Sequence, residues 1–258
     1  MAKLSVLRRD DVAPTARYGA PREATGVAWS AALSPAGYSL WLVESELEDG
    51  ATLSWRAPHG DDGIFVVQGV LDVGGRLVPA DGAVIVESGV ETTIAARGRT
   101  RILHGGSRDD QAPGGGRFGP PAPAGHDVHV VGPAGRFVSG SWEGVRAVWF
   151  ADSTCPTCRI ALFTVEAPGA KHASAHHHSQ DEIIFILSGA ISMGRARHGP
   201  GTSLCIPAGT RYGFVGDPGG HRFLNLRGDA SMQTNDRAAP ALPETALERG
   251  GSLVDGHG

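Results

Sequence analysis

Six of the eleven histidines fall between positions 172 and 221, and the dense part reads Lys171-His172-Ala173-Ser174-Ala175-His176-His177-His178. In an extended strand, residues i and i+2 share a face. A strand here therefore points His176 and His178 together and His177 the other way. A short turn at 179–181 then lets Glu182 open the next strand. Two imidazoles and one carboxylate converging on a point suit a divalent transition metal: Fe, Mn, Ni, Zn or Cu. Open coordination positions would admit substrate or oxygen.

Other residues invite chemistry less strongly. Cys155-Pro156-Thr157-Cys158 is a Cys-x-x-Cys. It has the spacing of a redox pair or of half a zinc site. No second pair exists to complete a zinc site, and the motif precedes a strand rather than opening a helix. It reads as a loop with two thiols. Cys205, inside an apolar strand, reads as core. Arg159, Arg195, Arg197 and Arg211 surround the histidine-rich part. Arg195 and Arg197 read as surface. Arg211, beside Tyr212, is the candidate to hold a carboxylate substrate at the rim.

The elements that must position these groups are short strands. The chain of 258 residues holds 38 glycines and 17 prolines. That turn density favours many strands over long helices. Runs such as Ile64-Phe65-Val66-Val67, Ala83-Val84-Ile85-Val86 and Ile183-Ile184-Phe185-Ile186-Leu187 lie between turn signals. No segment keeps a helical period over three turns. Residues 1–37 read as an N-terminal arm, and 105–125 as a Gly/Pro-rich linker that cannot pack. Residues 229–258 read as a polar tail.

The two remaining stretches, 38–104 and 126–228, echo each other. Gly50, Gly69 and Gly82 have counterparts Gly169, Gly189 and Gly201, at offsets of 119, 120 and 119. Matching strands and turn glycines at one offset argue for a duplicated β-domain. The positions matching His176, His178 and Glu182 are Arg56, Pro58 and Asp62, so the first copy lacks the metal set. His59 has no partner there at useful spacing.

Composition excludes several classes. The net charge of −4 provides no basic field for a nucleic-acid backbone. No apolar run approaches the roughly 18–20 residues of a membrane span. Charges interrupt the N-terminus before a signal-peptide core can form. Three cysteines make no disulfide scaffold. A cytoplasmic protein is expected.

The second half resembles the cupin superfamily. Gly169, His176-His177-His178, Glu182 and Gly189 follow the first cupin motif, with the initial glycine one residue early. Gly201 and Pro207-Ala208-Gly209 follow the second. There, Tyr212 stands at the usual histidine and Gly216 at the usual asparagine. The resemblance implies an all-β chain of two cupin (jelly-roll) barrels in tandem, a bicupin with its metal only in the C-terminal barrel. It makes His176, His178 and Glu182 three of four ligands. Tyr212 can complete the set as a phenolate, or instead give a hydrogen bond to substrate or a water. His221 is the other candidate fourth ligand. A homodimer is expected by the same resemblance.

Two histidines and a carboxylate around iron would suit a dioxygenase-type oxidoreductase on a small organic substrate. The alternative is redox-neutral hydrolase, isomerase or lyase chemistry, as in ureidoglycine aminohydrolase. That family shares the architecture but differs at the His176, Glu182 and Tyr212 positions. A third reading is a cupin that binds a small ligand without turnover.

Overall fold

The computed structural model describes residues 3–108, 127–142, 144–152, 157–229, 231–235, 242–243 and 252–253. The chain is all-β, as expected, with one 3-10 turn at Arg9–Asp11 among the described residues. The first strands are β1 (Ser5–Arg8), β2 (Glu23–Ala32), β3 (Leu40–Trp55), β4 (Asp62–Val73), β5 (Arg76–Pro79), β6 (Ala83–Val86), β7 (Thr92–Ser107) and β8 (Val128–Val131). There follow β9 (Phe137–Trp142), β10 (Val145–Asp152), β11 (Ala161–Ala167), β12 (His172–His178), β13 (Glu182–Met193) and β14 (Ala196–His198). The last are β15 (Thr202–Ile206), β16 (Tyr212–Arg227), β17 (Met232–Asn235), β18 (Leu242–Pro243) and β19 (Ser252–Leu253).

The strands form two antiparallel sheet systems. The order β3-β7-β4-β6 in the first recurs as β11-β16-β13-β15 in the second. The register repeats too. Asp62 faces Gly106 as Glu182 faces Arg227, and Ile64 faces His104 as Ile184 faces Asn225. The glycines singled out by the repeat also do equivalent work. Gly69 and Gly189 have φ of +87° and +65°, each at a break in register between paired strands. A Cβ on Gly69 would meet Arg99 O at 2.7 Å, and one on Gly189 would strike the Gly220 backbone. Only glycine fits both the conformation and the space.

The seam between the halves is apolar. Phe65 packs edge-on against Phe150 with ring centroids 5.6 Å apart, in a cluster with Leu42, Ile160, Leu162 and Leu226. Burial of such side chains contributes about 1.5–3 kcal/mol each. Polar ties cross the seam as well: buried Tyr38 donates from Oη to the carbonyls of Glu182 at 2.9 Å and Ile206 at 2.7 Å, and Arg222 pairs with Asp81 at 2.7 Å.

The strand boundaries differ from the sequence reading in four places. The arm 1–37 contains β1 and β2, and β1 pairs with β15 of the second sheet. Conversely β8, which the sequence assigns to the second unit, pairs with β6 of the first. Each half thus lends an edge strand to the other's sheet. Both segments are four residues long, too short for their pattern to tell which sheet they join. Gly105–Ser107 end β7 rather than open a linker; the rest of that linker lies mostly outside the described residues. From the tail, Met232–Asn235 pairs with β12 at the histidines. Among the described residues no helix is long and apolar enough to cross a membrane.

Candidate metal centre

The period-two reading of β12 holds: His176 and His178 are buried, and His177 between them is half-exposed. Strand β16 lies beside them, with Tyr212 opposite His176. Glu182 opens β13, 1% exposed, and its register partner is Arg227. These strands close over a cavity of about 830 Å³. Trp149 and Phe163, stacked at 4.0 Å, line one part of it, and His176, His178, Tyr212, Asn225 and Arg227 another.

Glu182 is the hub. Its Oε1 accepts a short hydrogen bond from the Tyr212 hydroxyl. Its Oε2 accepts from Asn225 Nδ2 at 2.9 Å and from Arg227 Nη2 at 3.0 Å. Burial alone would push this carboxyl up; the charges of His178 and Arg227 and the bonds from Tyr212 and Asn225 outweigh it, leaving Glu182 below the usual carboxylate range. The Tyr212 hydroxyl also lies 3.1 Å from His178 Nε2, and that nitrogen lies 3.5 Å from Glu182 Oε1.

His176 is set differently. Its Nδ1 lies 2.6 Å from the Ser174 carbonyl. A carbonyl can only accept, so Nδ1 carries the proton and Nε2 the lone pair. Metal-ligating histidines are fixed by this kind of bond. The His176 ring stands edge-on to His178 at 4.9 Å. The ligand atoms of His176, His178 and Glu182 do not all come within 4.8 Å of one another. With His178 and Glu182 in contact, His176 is the one held off.

The donor set fits a divalent transition metal. It offers two imidazoles, a carboxylate and a phenol, all buried. His178 Nε2 lies 3.1 Å from Tyr212 Oη and 3.5 Å from Glu182 Oε1, the spacing of ligands about 2.1 Å from one ion. Arg227 competes with such an ion for Glu182.

One expected site residue stands elsewhere. Arg211 is exposed and does not line the cavity. With Tyr212 facing inward, strand alternation turns its neighbour out. Arg227 is the arginine in the cluster; its clue was parity with Asn225, which the sequence alone could not match to Glu182. His221 does line the cavity, but it stacks on Phe223 and meets Phe214 edge-on. Burial pushes its pKa down, against a smaller upward pull from Asp217. Its ring fills the space a side chain at position 216 would need, which accounts for Gly216.

Among the other residues, Arg197 pairs with Asp217 on the surface, and Arg195 is exposed. Arg159 pairs with Asp229 at 2.8 Å. Cys205 is core, its thiol pushed by burial up to about 11. Cys155 lies outside the described residues. Cys158 is 1% exposed and bonds Glu87.

The first half holds a different cluster at the equivalent place. Asp62 accepts from Arg22 at 2.6 and 2.9 Å and from Trp55 Nε1 at 2.6 Å. His104 Nε2 lies 3.4 Å from it, and the Tyr18 hydroxyl 2.6 Å from His104 Nδ1. Asp62 thus matches Glu182. Trp55, opposite Thr92, matches His176, opposite Tyr212, because a bulge in β12 shifts the count by one. Arg56 is exposed and pairs with Glu23. His59 bonds the carbonyls of Gly60 and Val90.

No protein-family model and no curated protein matches the sequence. Solved structures do. The oxalate decarboxylase of Lactobacillus farciminis, in its formate complex, superposes with a TM-score of 0.65 at 15% identity, over 92% of this chain and 89% of that one. A serine-to-alanine variant of the Bacillus subtilis oxalate decarboxylase gives 0.64 at 15% identity, over 90% and 79%. Another structure of the Bacillus enzyme, concerned with its Mn(II) centres, gives 0.62 at 16%, again over 90% and 79%. At such identity the likeness establishes the fold, a cupin fold.

Proposed function

We propose that the chain is a metal-dependent cupin enzyme, with one divalent ion in its second half, acting on a small organic acid by redox-neutral chemistry. The observation that supports it is the buried set of His176, His178, Glu182 and Tyr212 beside a cavity of about 830 Å³. Lyase chemistry is preferred over dioxygenase chemistry, since the similar folds include decarboxylases. The cavity is roomy for a two-carbon diacid, and cavities of this size take larger ligands. Its stacked Trp149 and Phe163 suit a substrate with an apolar or aromatic body. Lys171 and His172, which also line it, suit the carboxylate.

His176, His178 and Glu182 would hold the ion, with Tyr212 beside them. When bound, it would supply Lewis-acid polarisation of a substrate oxygen. Tyr212 holds a proton at Oη, between Glu182 Oε1 and His178 Nε2, placed to give it to or take it from substrate. Arg227 and Asn225 orient the carboxylate of Glu182. The aromatic wall excludes water from one side of the bound molecule.

The test uses Mn(II), a hard ion suited to N and O donors. Its resonance signal should broaden on binding the full chain, and remain that of the free ion with His176→Ala/His178→Ala of unchanged circular dichroism. Binding unaffected by the double variant would refute the site. Screens of small acids should then find CO₂ release or isomerisation without oxygen uptake. Stoichiometric oxygen uptake would return the dioxygenase reading.

A further inference from the structure

We propose a second cation site, of zinc type and containing a thiolate, where Glu87, His129 and Cys158 meet. The three come from separate segments. Glu87 directly follows β6, His129 lies on the borrowed strand β8, and Cys158 precedes β11. They form the group among the described residues whose potential ligand atoms all lie within 4.8 Å of one another. His129 Nε2 lies 2.6 Å from Glu87 Oε1, and Cys158 Sγ donates to the same oxygen at 3.1 Å. The Thr157 hydroxyl donates to it as well, at 2.8 Å. Asp127 N–H donates to Oε2 at 3.2 Å.

Three side chains therefore crowd one carboxylate oxygen, which has two lone pairs to offer. A cation among them relieves that crowding. Charge points the same way. Glu87 is fully buried and Cys158 nearly so. A buried carboxylate is costly unless it is compensated. Zn(II) with one carboxylate, one thiolate and a neutral imidazole sums to zero, which suits a buried place. The mixture of S, N and O donors is what zinc accepts. As the sulfur binds, the thiol proton leaves to solvent. Thr157 then remains as a hydrogen-bond donor orienting Glu87. The side chain of His129 is 22% exposed, so solvent can reach a further coordination position.

The site differs from the one near Tyr212 in having sulfur. Cobalt(II) titration of the metal-free full chain separates them. A thiolate–Co(II) charge-transfer band should rise in the near ultraviolet, saturate at one equivalent and fade as zinc is added. Cys158→Ser should abolish the band. His129→Gln, at a partly exposed position that leaves folding intact, should weaken binding at least about tenfold, as loss of even an outer partner does. Mn(II) binding near Tyr212 should be unchanged in both variants, so failure of one site leaves the other standing. Absence of the band in the unaltered chain overturns the proposal. So does a band that persists in Cys158→Ser or binds as tightly in His129→Gln.

Discussion

The hydroxyl of Tyr38, in the first half, donates to the backbone carbonyl of Glu182 at 2.9 Å across 144 positions of sequence. The residue at the hub of the second half's cluster is thus placed partly by the first. Tyr38→Phe leaves two buried carbonyls, of Glu182 and Ile206, without this donor. The expected loss is about 1–3 kcal/mol of stability by urea denaturation, with weaker Mn(II) binding. A variant as stable as the parent would show that the tie contributes nothing.

Arg227 neutralises Glu182 at 3.0 Å, with both side chains almost fully buried. Arg227→Gln strands the carboxylate and should cost about 3–5 kcal/mol in metal-free protein. It also removes the charge that opposes a divalent ion. Mn(II) affinity should therefore rise, and added Mn(II) should restore much of the lost melting temperature. Lower affinity than the parent would mean that Arg227 assists the ion rather than competing with it.

Much of this was open to a reader of the sequence. Turn glycines at one offset pointed to the strand order that recurs between the two sheets, and the alternation in β12 separated His176 and His178 from His177. Arg227 was hidden because its facing depends on which residue of β13 lies across from it, a non-local register. Tyr38 was hidden for the same reason, lying in the other half. The meeting of Glu87, His129 and Cys158 needs β8 to cross over, and nothing local in Val128–Val131 announces that. The expected Arg211 failed on a local rule: one place from an inward residue, a strand points outward.

Acid should unfold the first half through Asp62. Burial raises this carboxyl, but the bond and charge of His104, with those of Arg22, bring it below the ordinary value. A folded pKa below the unfolded one stabilises fully above the unfolded value. That contribution is lost as pH falls through the lower, folded value. Stability measured from about pH 5 downward should therefore fall less steeply in Asp62→Asn than in the parent. Parallel curves would rule out Asp62 as a source of the acid limb.

Glycine positions give an internal control. Gly189 and Gly194 share a positive φ, of +65° and +59°, but a Cβ at Gly189 strikes backbone, whereas nothing lies within 4 Å of one at Gly194. Gly194→Ala should cost about 1–2 kcal/mol, the left-handed penalty alone. Gly189→Ala should cost clearly more, read as a larger drop in denaturation midpoint. Equal costs would show that the backbone at Gly220 yields freely.

The exchange of edge strands has a consequence in time. Ser5 pairs with Cys205. During synthesis at about 5–20 residues per second, β1 waits roughly ten to forty seconds for the strand it will cover. The first sheet meanwhile lacks its own edge until β8 emerges. Neither half can be finished before the other has begun, so a ribosome stalled between them would carry a sheet with an open edge and a stray strand. Cutting the gene at the linker would produce two fragments that each need the other to close.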